Sequence, residues 1–82
     1  MIESILIEVI SNALENRNIN IDSSVHNTKE WDSLGQLSIL TALDAASDGR
    51  INNIAEIHNA KSVREILSCL TTHEVSLNLG RE

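Results

Sequence analysis

The chain has no proline, phenylalanine or tyrosine, a single cysteine, a single tryptophan and three glycines in 82 residues. So little proline and glycine excludes collagenous and low-complexity chains. With one aromatic side chain the core must be aliphatic, and the supply is 11 Ile, 10 Leu, 4 Val and 6 Ala. The lone Cys69 has no partner for an internal disulfide, which fits a reducing, cytoplasmic setting. Basic residues are scarce too: six Lys and Arg stand against twelve Asp and Glu, a net charge of −6. Nucleic-acid binding needs a basic footprint and is excluded; anionic membrane surfaces are disfavoured, and partners with a positive patch are favoured. No apolar run approaches the ~18 residues of a membrane span. Met1-Ile2-Glu3-Ser4 has no basic region of the kind that opens a signal peptide, so none is expected. A chain of 82 residues makes one domain, with little room for a catalytic cleft walled by its own core.

What is present is helical. Ile2, Ile5, Leu6, Val9, Ile10, Ala13 and Leu14 form one stripe of a 3.6-residue period and predict a helix over 2–16. Residues 17–32 have no helical period. They are rich in Asn, Asp, Ser and Thr, with Ile19, Ile21, Val25 and Trp31 spaced as pins for a long loop. A second helix opens at Asp32-Ser33. Either residue suits the cap, and Ser33 with Gln36 has the spacing of a capping box. That helix is expected to end near Ser47 and stop at Asp48-Gly49, where Gly49 supplies the left-handed C-terminal turn. Ile51, Ile54, Ala55 and Ile57 predict a brief third helix. Ser62 with Glu65 marks the start of a last helix carrying Val63, Ile66, Leu67 and Leu70. The reading is all-α, a helical domain over 1–72 followed by a weakly structured tail over 73–82.

The second helix is apolar on two sides. At about 100° per residue, Ile39, Leu40, Leu43 and Ala46 share one arc with Gln36 and Ser47, the expected core face. Leu34, Leu37 and Thr41 lie opposite, near Ser38, Asp44 and Ala45. A monomer's surface helix needs one apolar stripe, so the second reads either as scattered exposed leucines, which are normal, or as a partner-docking face at the start of the helix.

Trp31-Asp32-Ser33-Leu34, closing a long loop and opening an amphipathic helix, resembles the Asp-Ser-Leu attachment motif of acyl carrier proteins. The resemblance extends through Ala42-Leu43-Asp44, Ile51 after a short turn, a short helix, and Ser62-Val63 opening a final helix. It covers about residues 1–71. It implies a small four-helix bundle with a long loop between the first two helices and a short third helix. It also implies that Ser33 carries 4′-phosphopantetheine as a phosphodiester, and that the arm's thiol carries acyl or aminoacyl groups as thioesters. Asp32 then belongs to the contact with a phosphopantetheinyl transferase. Leu34, Leu37, Thr41 and Asp44 are the expected partner-binding residues. Further partners are an acyl-loading ligase or transferase and downstream acyl-processing enzymes. A serine at a helix start suits a phosphate, because free N–H groups and the positive dipole end point there. The chain itself is then a non-catalytic, cytoplasmic, monomeric carrier.

Several residues depart from the family pattern. Gly35, Ser38, Ala45 and Ala46 stand where acidic residues are frequent. Ser47 replaces a usual Phe, and Asn52 a usual Pro. These changes point to a dedicated pathway rather than general fatty-acid synthesis. Other chemistry finds little support. There is no G-x-S-x-G elbow around Ser33, and His26, His58, His73 and Cys69 lack metal-site spacing. Trp31 is read as a loop anchor, which also permits it to wall the prosthetic arm, and Cys69 as a small packing residue. The competing reading is a small helical interaction module that uses the Leu34/Leu37 face and leaves Ser33 unmodified.

Overall fold

A computed structural model describes residues 2–78, and over that span the chain is all-helical. Three α-helices, α1 (Ile2–Leu14), α2 (Ser33–Ala46) and α3 (Val63–Thr72), surround an aliphatic core. α1 buries Leu6, Val9, Ile10 and Leu14, the inner part of its periodic stripe. α2 buries Ile39, Leu43 and Ala46. Leu40, expected beside them, is half-buried and packs at the margin of the core. α3 contributes Val63, Ile66 and Leu70. Among the described residues no helix is long and apolar enough to cross a membrane.

The expected short third helix is not an α-helix. Two consecutive 3₁₀ helices, Arg50–Asn53 and Ala55–Asn59, occupy that stretch, so the expected count of four α-helices falls to three. The reason lies in the apolar spacing. Ile51, Ile54, Ile57 and Ala60 are all buried and recur every third residue, the 3₁₀ repeat of 3.0 residues per turn. Their backbones are linked in series: Ile54 N–H donates to Ile51, Ile57 to Ile54, and Ala60 to Ile57, at 3.0–3.2 Å.

Each α-helix ends by the same device. Glu15, Asp48 and Glu74 adopt left-handed φ of 55–57°. The residue after each donates back across the last turn: Asn16 to the Ser11 carbonyl, Gly49 to Asp44, and Val75 to Leu70. Gly49 is left-handed as expected, but Asp48 ahead of it is left-handed too and takes the first such position. Past α3, residues 73–78 form neither helix nor strand, yet they stay packed on the bundle. Val75 and Leu77 are buried, and the Asn78 N–H donates to the Ala46 carbonyl at the end of α2 (3.0 Å). The rest of the expected tail, residues 79–82, lies outside the described residues.

The loop between α1 and α2 is ordered by its own polar side chains. Asn16, Asn20 and Asn27 accept backbone N–H groups of Asn18, Asp22 and Ser24 at 2.8–2.9 Å. Ser24 forms an isolated antiparallel bridge with Ser62. It is flanked by Val25 N–H to Lys61 and Val63 N–H to Ser23, both 3.0 Å. The expected apolar pins differ in depth: Ile19 and Trp31 are buried, Ile21 and Val25 partly so.

The loop's last residues lie hard against the first turn of α2. A Cβ placed on Gly35 would overlap the Glu30 carbonyl oxygen and sit 3.0 Å from Leu14 Cδ2. Glycine is required there by close approach, with backbone on one side and α1 on the other. Helix propensity alone ranks Gly→Ala as stabilising by about 1 kcal/mol. Here Gly35→Ala is expected to destabilise instead, by about 1–3 kcal/mol, because the loop must move away. Urea unfolding of the two proteins checks the sign.

Candidate functional site

Asp32, not Ser33, caps α2. Its backbone is extended, its Oδ1 accepts the Gly35 N–H at 2.9 Å, and its carbonyl accepts the Gln36 N–H at 2.8 Å. Ser33 is therefore the first helical residue, and the expected Ser33–Gln36 capping box does not form. The aspartate wins because its carboxylate both accepts the first-turn amide and faces the positive helix end. At the start of α3, Ser62 does act as the cap, accepting the Glu65 N–H at 3.1 Å.

Ser33 is exposed, and among the described residues none hydrogen-bonds its hydroxyl. Among the described residues no side chain lies within hydrogen-bond distance to serve it as a base, and the hydroxyl is open to solvent. The N–H groups of Ser33 and Leu34 are first-turn amides without an intrahelical acceptor. Leu34 is 75% exposed and Leu37 61%, the exposed large apolar residues among those described. Thr41 is exposed on the same side, as are Ser38 and Ala45. The outer face of α2 is thus Ser33, Leu34, Leu37, Ser38, Thr41 and Ala45, without a charge. Asp44 lies at its edge and is half-buried. Its Oδ1 accepts the Asn52 side-chain N–H at 3.0 Å, tying α2 to the first 3₁₀ helix.

The four residues that depart from the acidic pattern of the resemblance differ in setting. Gly35 is buried against Glu30 and Leu14, and Ala46 is buried in the core. Ser38 and Ala45 are exposed and have room for a charged side chain.

Sequence reasoning placed Gln36 in the core arc and missed what it does there. Its Oε1 accepts the Trp31 indole N–H at 2.6 Å. Its Nε2 donates to the Ala60 carbonyl at 3.0 Å and the His58 carbonyl at 3.3 Å. The indole has a donor alone and the carbonyls are acceptors alone, so the orientation of the amide is fixed. Trp31 is 2% exposed, the loop anchor that its position implied. The available signal was a glutamine set among the apolar residues of an inner helix face.

Three other ionisable side chains are shifted by their surroundings. A hydrogen bond from the Asn16 side chain, 2.9 Å, holds the Glu30 carboxyl below its ordinary range. Glu56 is lowered too, by a backbone hydrogen bond and by His73, whose Nε2 lies 3.1 Å from Oε2. Partial burial, and then the charges of Glu56 and Glu65, push the Cys69 thiol above its usual range and keep it protonated at neutral pH. Among the described residues no three His, Cys, Asp or Glu side chains gather to hold a metal ion. Comparison with protein-family models, with curated proteins and with solved structures finds no match to this chain.

Proposed function

We propose that this chain is a carrier protein that takes 4′-phosphopantetheine on Ser33 and presents thioester-bound acyl or aminoacyl groups to partner enzymes. The observation that carries the reading is Ser33 itself: an exposed, unactivated hydroxyl on the first residue of α2, behind an Asp32 cap and beside the exposed Leu34 and Leu37. The first-turn amides and helix dipole favour a phosphodiester at that point. The residues present therefore fit the group. When bound, the arm supplies the thiol and the reach; the chain supplies a fixed helix end and a recognition face. In this reading the two 3₁₀ helices stand for the short third helix of a carrier-type four-helix bundle. The protein is a cytoplasmic monomer, and its partners are a phosphopantetheinyl transferase, a loading ligase or transferase, and acyl-processing enzymes. The charge-free outer face of α2 favours partners that dock on Leu34 and Leu37 over those that read acidic side chains.

Incubation with coenzyme A, Mg²⁺ and a broad-specificity transferase is expected to add one phosphopantetheine mass, and Ser33→Ala to add none. Because Asp32 is the cap, Ser33→Ala retains the fold. An unchanged mass for the unsubstituted protein would favour the interaction-module reading, which the same exposed leucines serve.

Leu37→Ala is expected to leave the melting temperature nearly unchanged and to slow modification of Ser33. Leu43→Ala, fully buried on the opposite side, is expected to cost about 2–5 kcal/mol. The reversed pattern would place the recognition face elsewhere.

Charge should be restorable where the surface is open. Exposed charge pairs steer encounter and are weakened by salt. Ser38→Glu with Ala45→Glu is expected to speed modification by a transferase specialised for acidic carriers and to make that rate fall with salt. The unsubstituted protein is expected to react slowly and with little salt dependence. Initial rates across a salt series decide between them.

A further inference from the structure

Ser33 has two near neighbours along α2, Gln36 three residues on and Leu37 four residues on. Leu37 points to solvent. Gln36 is half-buried and its carboxamide reaches inward, and the next residues on that side are Ile39 and Leu43, both fully buried. A group attached at Ser33 can lie outward over Leu37, or it can enter the core past Gln36. The inward path is closed by hydrogen bonds. The Gln36 carboxamide joins Trp31 at the end of the loop to the His58 and Ala60 carbonyls at the end of the second 3₁₀ helix, spanning the seam between that helix and α2. Beneath it Trp31, Ile57 and Ala60 are buried. An alkyl chain entering here would have to part the indole–amide bond and strand the Ala60 carbonyl, whose bond to Gln36 is partly buried, a poor exchange for either group.

We propose that the Trp31–Gln36 clasp seals the bundle beneath Ser33, so that a carried acyl group stays outside the core, and that the cargo is accordingly short or polar. The cargo class rests on the carrier reading; the seal does not. A long alkyl chain held outside would remain in water, which disfavours it as a stable load, whereas a short, hydroxylated, carboxylated or aminated acyl group loses nothing there. Gln36 is then a positioning residue that sets cargo class without touching the reacting atoms.

Two arms test this. In the first, a broad-specificity transferase delivers acetyl- and octanoyl-phosphopantetheine from the corresponding coenzyme A thioesters, and intact mass confirms each load. Both forms are expected to melt at the same temperature, with the methyl resonances of Ile39, Leu43 and Ile57 in the same places. In Gln36→Ala the octanoyl form is expected to melt higher than the acetyl form and to shift those methyls. In the second arm, methyl and octyl methanethiosulfonates modify Ser33→Cys in a Cys69→Ala background, each thiolate displacing methanesulfinate to form a mixed disulfide. The same readouts and the same expectations apply, and no transferase is needed. A higher melting temperature or shifted core methyls with the octyl or octanoyl group, while Gln36 is intact, overturns the proposal. So does a folded Gln36→Ala protein without chain-length dependence. If that variant does not fold, the proteins with Gln36 intact decide the matter. A failure to load Ser33 in the first arm counts against the carrier reading, and the second arm then still decides the seal.

Discussion

The geometry around Ser33 depends on one carboxamide satisfied on both ends. Gln36 lies on the inner side of α2, where an unpaired polar group would be costly. It is paired with Trp31 from the loop and with two carbonyls from the second 3₁₀ helix. Among the described residues no buried side-chain nitrogen or oxygen lacks a partner. The end of the loop, the first turn of α2 and the second 3₁₀ helix, the last of these 22–24 residues further along the chain, are thereby joined at one point, one turn below the serine. The direction in which Ser33 faces is a consequence of that joint as much as of the helix that begins there.

The long loop gives the joint its second support. Its asparagines and serines bind neighbouring backbone amides, so most of its order is local. Trp31 and Ile19 then dock the ordered loop on the aliphatic core, and the Ser24–Ser62 bridge fastens it to the start of α3. The Glu30 backbone can therefore lie against Gly35 without strain on the helix. A larger residue at 35 would lift the loop, and with it both the Asp32 cap and the indole that Gln36 holds. The first turn of α2 is thus packed for position, which leaves its outer residues free to vary in charge.

Much of this was readable from residue spacing. The stripe from Ile2 to Leu14 specified α1, and the two-sided wheel of the second helix separated the exposed Leu34 and Leu37 from the buried Ile39 and Leu43. The misplaced features have physical causes. An interval of three is shared by α- and 3₁₀-helices, and the unbroken run of threes from Ile51 to Ala60 is what distinguishes the latter. Adjacent Asp32 and Ser33 both have capping side chains, and local sequence does not rank them. The need for glycine at 35 arises from a backbone five residues earlier folding back onto it, a contact with no pattern in the sequence. Val75 and Leu77 form too short an alternation to announce that the tail packs on the core. The resemblance of Asp32-Ser33-Leu34 to an attachment motif singles out a serine that is accessible, which is what geometry adds to it.

Trp31 is the sole aromatic residue of the chain, and its indole is both buried and hydrogen-bonded to the side chain beneath Ser33. The protein therefore carries its own optical probe at that point, with no tyrosine to confuse the signal. Emission excited in the near ultraviolet comes from one indole in one environment. Loosening of the start of α2, or a partner that pulls Gln36 away, exposes that ring to water and moves its emission to the red. Stopped-flow fluorescence on the unlabelled chain can thus time events at the helix end directly, without a dye to perturb the face being recognised.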